Sequence, residues 1–325
     1  MLILNKKDMY QAADLDEIMD SIERAHILFR DDACFSPDRY SVTHDNKTML
    51  YMPSYADGLI GTKMLAEFPE NPAKGHPYLS GLMIINLLET GAVEAILNGE
   101  VITALRTGAV GGVAIRHLAR EDSRSVGLVG CGVQGLHQLI YACAVRDIQA
   151  IYLYDAFLRD FEPFIQKVKE AISPKEVHII VCASADELLS DSDIVITATQ
   201  AKEPVFSNDE ALLKGKCFVA IGSWKPEMRE LPDAIWKVVD HVYTELPFAC
   251  EESGDLSQPI ADGLLDLSRV KYMGDFLKDK KNGIAAELGH TRFYKSVGMG
   301  IFDLMAAKVI IERAKKENIG SYIDW

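Results

Sequence analysis

The chain predicts an α/β protein: a doubly wound parallel sheet at its centre, and an α+β domain made from the N-terminal part and the last helix. Three observations carry this. Residues 125–155 spell strand, glycine turn, helix, strand and acid in that order. Strands and helices then alternate as far as residue 243. Before residue 119 the pattern is different, with short apolar strands framed by two helical stripes.

Taken in order, Leu15–Phe29 carries apolar residues at 15, 18, 19, 22, 25, 28 and 29, one face of a helix. Met49–Pro53, Leu59–Ala66 and Gly81–Leu88 are short apolar runs bounded by Gly, Pro and Asn, and read as strands. Val93–Leu97 followed by Asn98-Gly99 is a hairpin signal. Thr103–Leu118 has helical spacing and leads into the linker Ala119–Ser123. Downstream, the spacing predicts helices at Asp160–Ala171 and Asp186–Leu189. Strands are expected at Val177–Cys182, Ile194–Thr199, Cys217–Ile221 and Val238–Tyr243. Val297–Ala314 reads as a closing amphipathic helix that covers the N-terminal sheet. The expected domains are therefore 1–118, completed by 297–325, and 119–296.

The stretch from Ser125 to Asp155 says most about chemistry. After the strand Ser125–Val129 comes Gly130-Cys-Gly-Val-Gln-Gly135, then the helix Leu136–Val145 and the strand Ala150–Tyr154. Gly130 permits the tight turn, Gly132 lets backbone approach a pyrophosphate, and Gly135 lets the helix pack on the strand. The helix N-terminus offers free N–H groups to that phosphate. Asp155 stands at the tip of the next strand, where a carboxylate accepts from both ribose hydroxyls. This is the fingerprint of a Rossmann dinucleotide site. A carboxylate there repels a 2′-phosphate, so NAD(H) is favoured over NADP(H); Arg159 is the nearest cation.

Composition narrows the partners. A net charge of −14 over 325 residues argues against nucleic acid or an anionic membrane. The six cysteines have no C-x-x-C spacing and the eight histidines are dispersed, so no metal site is expected and the thiols read as those of a cytoplasmic protein. No signal peptide precedes the first helix, and the longest apolar run, Gly81–Leu88, is too short to cross a bilayer.

Several segments together resemble the ornithine cyclodeaminase/μ-crystallin family. They are Leu50-Tyr-Met-Pro53, Gly61-Thr-Lys-Met64, the run Asn98–Ala109 with Ile-Thr-Ala-Leu-Arg-Thr at its centre, and Gly130-Cys-Gly-Val-Gln134. Further along come Thr197-Ala-Thr199, Ile221-Gly-Ser223, Pro226, Arg229-Glu-Leu231, Glu252-Ser-Gly-Asp255, and Ser296-Val-Gly298 leading to Asp303. The resemblance implies a central Rossmann domain, a substrate domain that pairs into a homodimer, and NAD(P)-dependent chemistry on small α-amino or α-imino acids. It places Arg39, Lys63 and Arg106 on the substrate carboxylate, with Arg106 at a helix start beside the nicotinamide. It places Thr107, Gly130, Gly132, Val133, Gln134, Asp155, Thr199, Gly222, Ser223, Ser296 and Val297 around the cofactor. Lys63 stands out even alone, because a lysine in an apolar strand needs a partner. Burial and neighbouring cations would lower its pKa towards neutrality and suit it to donate a proton.

Departures from the family matter too. Its cyclodeaminases carry an acid where this chain has Leu50, and another where it has Trp224. Glu227 and Glu230 lie nearby; Glu230 matches a shared glutamate and is expected to be structural. Glu252-Ser-Gly-Asp255 reads as a turn bearing carboxylates. His76 and Tyr78 sit in a loop, Cys131 fills an x position, and Met49, Met64, Trp224, Met228 and Met299 are candidate pocket walls. The expectation is an NAD(P)H-dependent reductase of an α-imino acid, with Δ1-pyrroline-2-carboxylate to proline the named case. Ornithine cyclodeaminase, an amino-acid or opine-type dehydrogenase, and a non-catalytic crystallin-like nucleotide binder remain the alternatives.

Overall fold

The computed structural model describes residues 1–281 and 289–324. Contacts divide the chain into two compact units, Met1–Arg106 with Gly298–Trp325, and Thr107–Val297. In chain order the first part holds β1 (Leu2–Leu4), α1 (Lys6–Ala12), α2 (Leu15–Arg30), β2 (Tyr40–His44), β3 (Lys47–Ala56), β4 (Leu59–Glu67), β5 (Leu79–Leu87), β6 (Val93–Asn98) and α3 (Gly99–Leu118). Then follow β7 (Ser125–Val129), α4 (Val133–Val145), β8 (Ala150–Tyr154), α5 (Glu162–Ile172), β9 (His178–Val181), α6 (Ala185–Ser190), β10 (Ile194–Thr197), α7 (Glu210–Leu213) and β11 (Cys217–Ala220). The remainder is α8 (Ile235–Val238), β12 (Val239–Thr244), α9 (Ala249–Glu252), α10 (Gly254–Ala261), β13 (Val270–Tyr272), α11 (Met273–Lys281), β14 (Thr291–Lys295), α12 (Gly300–Glu317) and β15 (Ser321–Tyr322).

The first unit is built on a mixed sheet in the order β15-β1-β6-β5-β4-β3-β2. Asn98-Gly99, read from sequence as a hairpin turn, is instead a strand-to-helix junction: the Asn98 side chain accepts from Val101 N at 2.9 Å, and α3 begins at Gly99. A capping asparagine and a hairpin asparagine look alike in sequence. Alternation along β4 buries Gly61, Lys63, Leu65 and Glu67 and leaves Ile60, Thr62, Met64 and Ala66 half-buried. The buried face meets α12, which also packs on α1 and α2. Enclosed in this way, α12 is buried on all sides from Gly300 to Ala307 and becomes amphipathic only later. It starts at Gly300 rather than Val297.

The second unit holds eight parallel strands in the order β13-β12-β14-β11-β10-β7-β8-β9. The order reverses between β7 and β10, the switch point of a doubly wound sheet, where ligands bind at the strands' carboxyl ends. The predicted fold class is borne out. Residues 107–118 pack with this unit because α3 lies tightly on α4. A Cβ at Gly108 would fall 2.6 Å from the Tyr141 ring, and Gln138 Nε2 donates to the Thr107 carbonyl at 2.7 Å.

Candidate active site

Lys63 projects from the middle of β4, fully buried, flanked across the ladder by Met52 of β3 and Met83 of β5. Its Nζ donates to both oxygens of Asp303 on α12, at 2.8 and 2.8 Å. Arg106 Nε donates to Asp303 Oδ1 at 3.0 Å. Arg39, in the residue before β2, donates from Nη2 to the Gly298 carbonyl at 3.3 Å. Gly298 also lies against the Arg106 guanidinium, where a Cβ would fall 2.6 Å from Nη1. Its φ of +82° is left-handed, so this short segment fits both arginines only as glycine.

Among the described residues, the charged groups acting on Lys63 are the cations Arg39 and Arg106 and the carboxylate of Asp303. Burial among methionines lowers the Lys63 pKa most, Asp303 pulls it back up, and Arg106 and Arg39 lower it again, leaving it at about 7. A lysine poised there carries its proton about half the time at neutral pH. Guanidinium forks such as those of Arg39 and Arg106 match the two oxygens of a small carboxylate. Arg106 lies in the second turn of α3 rather than at the helix start, because α3 begins earlier than its apolar spacing suggested.

In the second unit the glycine turn follows β7 directly. Gly130 has φ +101° and lies so close to Ala198 that a Cβ would come within 2.6 Å of the Ala198 carbonyl oxygen. Gly132 precedes α4 with no side-chain cap, and a Cβ there would meet nothing within 4 Å. No protein atom demands glycine at 132, whereas a pyrophosphate laid against bare backbone N–H groups does. Gln134 Oε1 is buried without a hydrogen-bond partner. These residues fit a dinucleotide.

Asp155 is engaged differently from the expectation that it would accept both ribose hydroxyls. Oδ2 accepts from Cys131 N at 2.9 Å, and Oδ1 accepts from Phe157 N and Leu158 N at 2.9 and 3.0 Å. A carboxylate offers roughly four acceptor positions, so one ribose hydroxyl fits on Oδ2 and two do not. Partial burial would raise its pKa, but the three N–H bonds prevail and hold it below the ordinary carboxylate value. Desolvation of the half-buried Cys131 thiol, with the same acid beside it, pushes its pKa up to about 12, which leaves it inert as a nucleophile.

The other strand ends carry the remaining residues. Thr199 follows β10, Gly222 and Ser223 follow β11, and Ser296 and Val297 follow β14. Glu230 ties Thr199 to Gly222 and Ser223, and Glu245 accepts from Ser296 Oγ at 3.0 Å and Val297 N at 2.7 Å. Asp255, read as a turn carboxylate, is in fact buried in the first turn of α10 and accepts from the Glu230 and Leu231 amides. Met49 and Met64 lie on the sheet face opposite Lys63, so Met52 and Met83 are the methionines beside it. His76 and Tyr78 lie in an exposed turn that the Asn71 side chain closes by donating to the Pro77 carbonyl. Glu227 is exposed and Trp224 is half-buried with Lys225 Nζ 4.3 Å from its ring centre. Sequence reasoning named Asp303 within a family segment without giving it a role, and missed Glu245 and Lys295 as parts of these clusters. The signal was present for Asp303, an acid inside the apolar run Ile301–Ala307. No group of three or more potential metal ligands occurs among the described residues.

A sequence profile of the ornithine cyclodeaminase/mu-crystallin family matches residues 1–318. The chain belongs to this family. It is 33% identical, over 333 aligned residues spanning all of both chains, to a Δ1-pyrroline-2-carboxylate reductase of Bacillus cereus. Among family folds, the structure of Thermococcus litoralis Δ1-pyrroline-2-carboxylate reductase in complex with NADH and L-proline aligns with a TM-score of 0.89 at 30% identity. That alignment covers 99% of this chain and 100% of the other. An archaeal alanine dehydrogenase dimer with bound NAD aligns with a TM-score of 0.88 at 28% identity, covering 100% of this chain and 99% of that one.

Proposed function

We propose that this family member is an NAD(P)H-dependent reductase of a small cyclic α-imino acid, with Δ1-pyrroline-2-carboxylate giving L-proline as the named reaction. The observation that carries the reading is the buried cluster of Lys63, Arg106 and Asp303 with Arg39 beside it, in a chain whose second unit presents a dinucleotide cradle. Arg39 and Arg106 hold the carboxylate and thereby orient the adjacent carbon. Lys63 supplies the proton to the ring nitrogen. A nicotinamide cofactor held there would supply the hydride that, with the proton from Lys63, turns C=N into CH–NH. Thr107, the glycine turn, Asp155 and the loops at Thr199, Gly222, Ser223, Ser296 and Val297 are the proposed cofactor contacts, with NADH preferred because of Asp155.

Cyclodeamination is the less supported reading. Stripping protons from an amine and handling ammonia calls for carboxylates, whereas Leu50 is buried opposite Leu65 and position 224 holds an indole. A homodimer is part of the proposal. The face of the first sheet opposite Lys63 leaves rows such as Tyr51-Met64-Leu82 and Pro53-Thr62-Ile84 half-exposed, which suits a second copy. A cytoplasmic setting accords with six free cysteines, and no helix among the described residues is long and apolar enough to cross a membrane. Lys63→Met tests the reading: turnover should vanish while NADH binding persists, and near-normal turnover would remove Lys63 from the mechanism.

A further inference from the structure

We propose that Glu230 is a positioning residue for the dinucleotide, a buried strut that sets the spacing of the loops after β10 and β11 and so governs NADH affinity; this rests on the nucleotide reading above. Its carboxylate is fully buried and accepts four hydrogen bonds. Oε1 takes Thr199 N at 2.7 Å and Thr199 Oγ1 at 2.8 Å. Oε2 takes Gly222 N at 2.9 Å and Ser223 N at 3.2 Å. One side chain thus binds both strand-end loops next to the switch point of the sheet. The fit is tight: a Cβ on Gly222 would collide with Thr199 backbone and with Glu230 Oε1.

Glu230 is itself held from below. Its own N–H, and that of Leu231, donate to Asp255 Oδ1 at 2.7 and 3.0 Å. The Ser223 hydroxyl donates to the Met228 carbonyl at 2.6 Å and meets Ser253 Oγ at 2.8 Å, which fastens the second loop to the start of α10. Lys295, at the end of β14 and fully buried, lies 3.3 Å from Asp255 Oδ2, an ion pair outside hydrogen-bond alignment. A buried carboxylate accepting four donors is ionised only at the expense of desolvation, which the neighbouring Lys295 offsets while Asp255 opposes it. The net pKa of Glu230 is raised. Among the described residues, the charged groups facing Glu230 are Lys295 from β14 and Asp255 from α10, while the β10 and β11 loops present Thr199, Gly222 and Ser223.

The test is NADH titration by protein fluorescence, with no substrate present, on the wild-type chain and on Glu230→Gln. Glutamine keeps the shape but has one acceptor oxygen, so its NH2 must face one of the two donor pairs. About tenfold weaker NADH binding is expected, with circular dichroism unchanged. Wild-type affinity should also weaken as acid protonates Glu230, whose pKa burial raises, and that dependence should be flattened in the variant. A merely structural glutamate would leave the pH profile of binding alike in both. Equal affinities and parallel pH profiles would overturn the proposal. Should Glu230→Gln fail to fold, the wild-type series decides: affinity independent of pH overturns it. Absence of NADH binding by the wild-type chain would instead overturn the nucleotide reading itself.

Discussion

Replacing Asp303 by asparagine gives the sharpest test of how the cation cluster works. Among the described residues, Asp303 is the carboxylate that faces Lys63; it meets Nζ at 2.8 Å with each oxygen and also orients Arg106 through Nε. At an effective dielectric near 20, unit charges at that separation attract by about 6 kcal/mol. A quarter of that amount is one pKa unit. Asparagine removes the attraction while burial, Arg106 and Arg39 continue to push the Lys63 pKa down, so it should fall below about 7. If protonated Lys63 is the proton donor, activity declines as pH rises through its pKa. Each unit by which it falls would cut the protonated fraction at pH ~7.5 about eightfold. The assay is kcat/KM for NADH-dependent reduction of Δ1-pyrroline-2-carboxylate from pH ~5 to ~9. The variant should lose most at high pH and recover towards low pH. The substrate's own titration is common to both enzymes and cancels in the ratio. A uniform loss at every pH, or an unchanged midpoint, would refute the role assigned to Asp303.

Other substitutions address separate parts of the site. Arg106→Lys keeps the charge but loses the guanidinium fork, so KM for the imino acid should rise about tenfold or more while NADH affinity stays within a few-fold, read by steady-state kinetics and titration. Gly298→Ala forces a Cβ into a left-handed residue 2.6 Å from Arg106 Nη1; it should cost about 1–2 kcal/mol in chemical denaturation and raise KM as well. Asp155→Ser should weaken NADH several-fold and narrow its margin over NADPH, because the glycine turn loses its Cys131 anchor and the repulsion of a 2′-phosphate disappears. Equal loss for both cofactors would show that Asp155 only braces the turn.

Legibility from sequence followed the physics of each element. The Rossmann unit was readable because its turn, helix and acid stand at fixed spacing and each glycine answers a local steric demand. Lys63 was readable because a charge in an apolar strand is costly alone. Its partner Asp303 lies 240 residues further on, and pairing over such distances leaves no periodic trace. The same holds for Glu230 and Asp255, whose work is done through backbone amides of loops that sequence brings nowhere near them. The start of α3 was placed late because its first turn lacks amphipathic spacing, and that of α12 early because Val297 and Met299 extend its apolar run. Asn98-Gly99 misled because strand-to-helix junctions use the same residues as hairpins.

A product balance separates imine reduction from cyclodeamination: the purified chain is incubated with Δ1-pyrroline-2-carboxylate and NADH, and separately with L-ornithine and NAD. L-proline should form mole for mole with NADH consumed in the first mixture, with no ammonia in the second. Ammonia release from ornithine without net change in NADH, or saturable NADH binding with no proline formed, would contradict the proposed reduction.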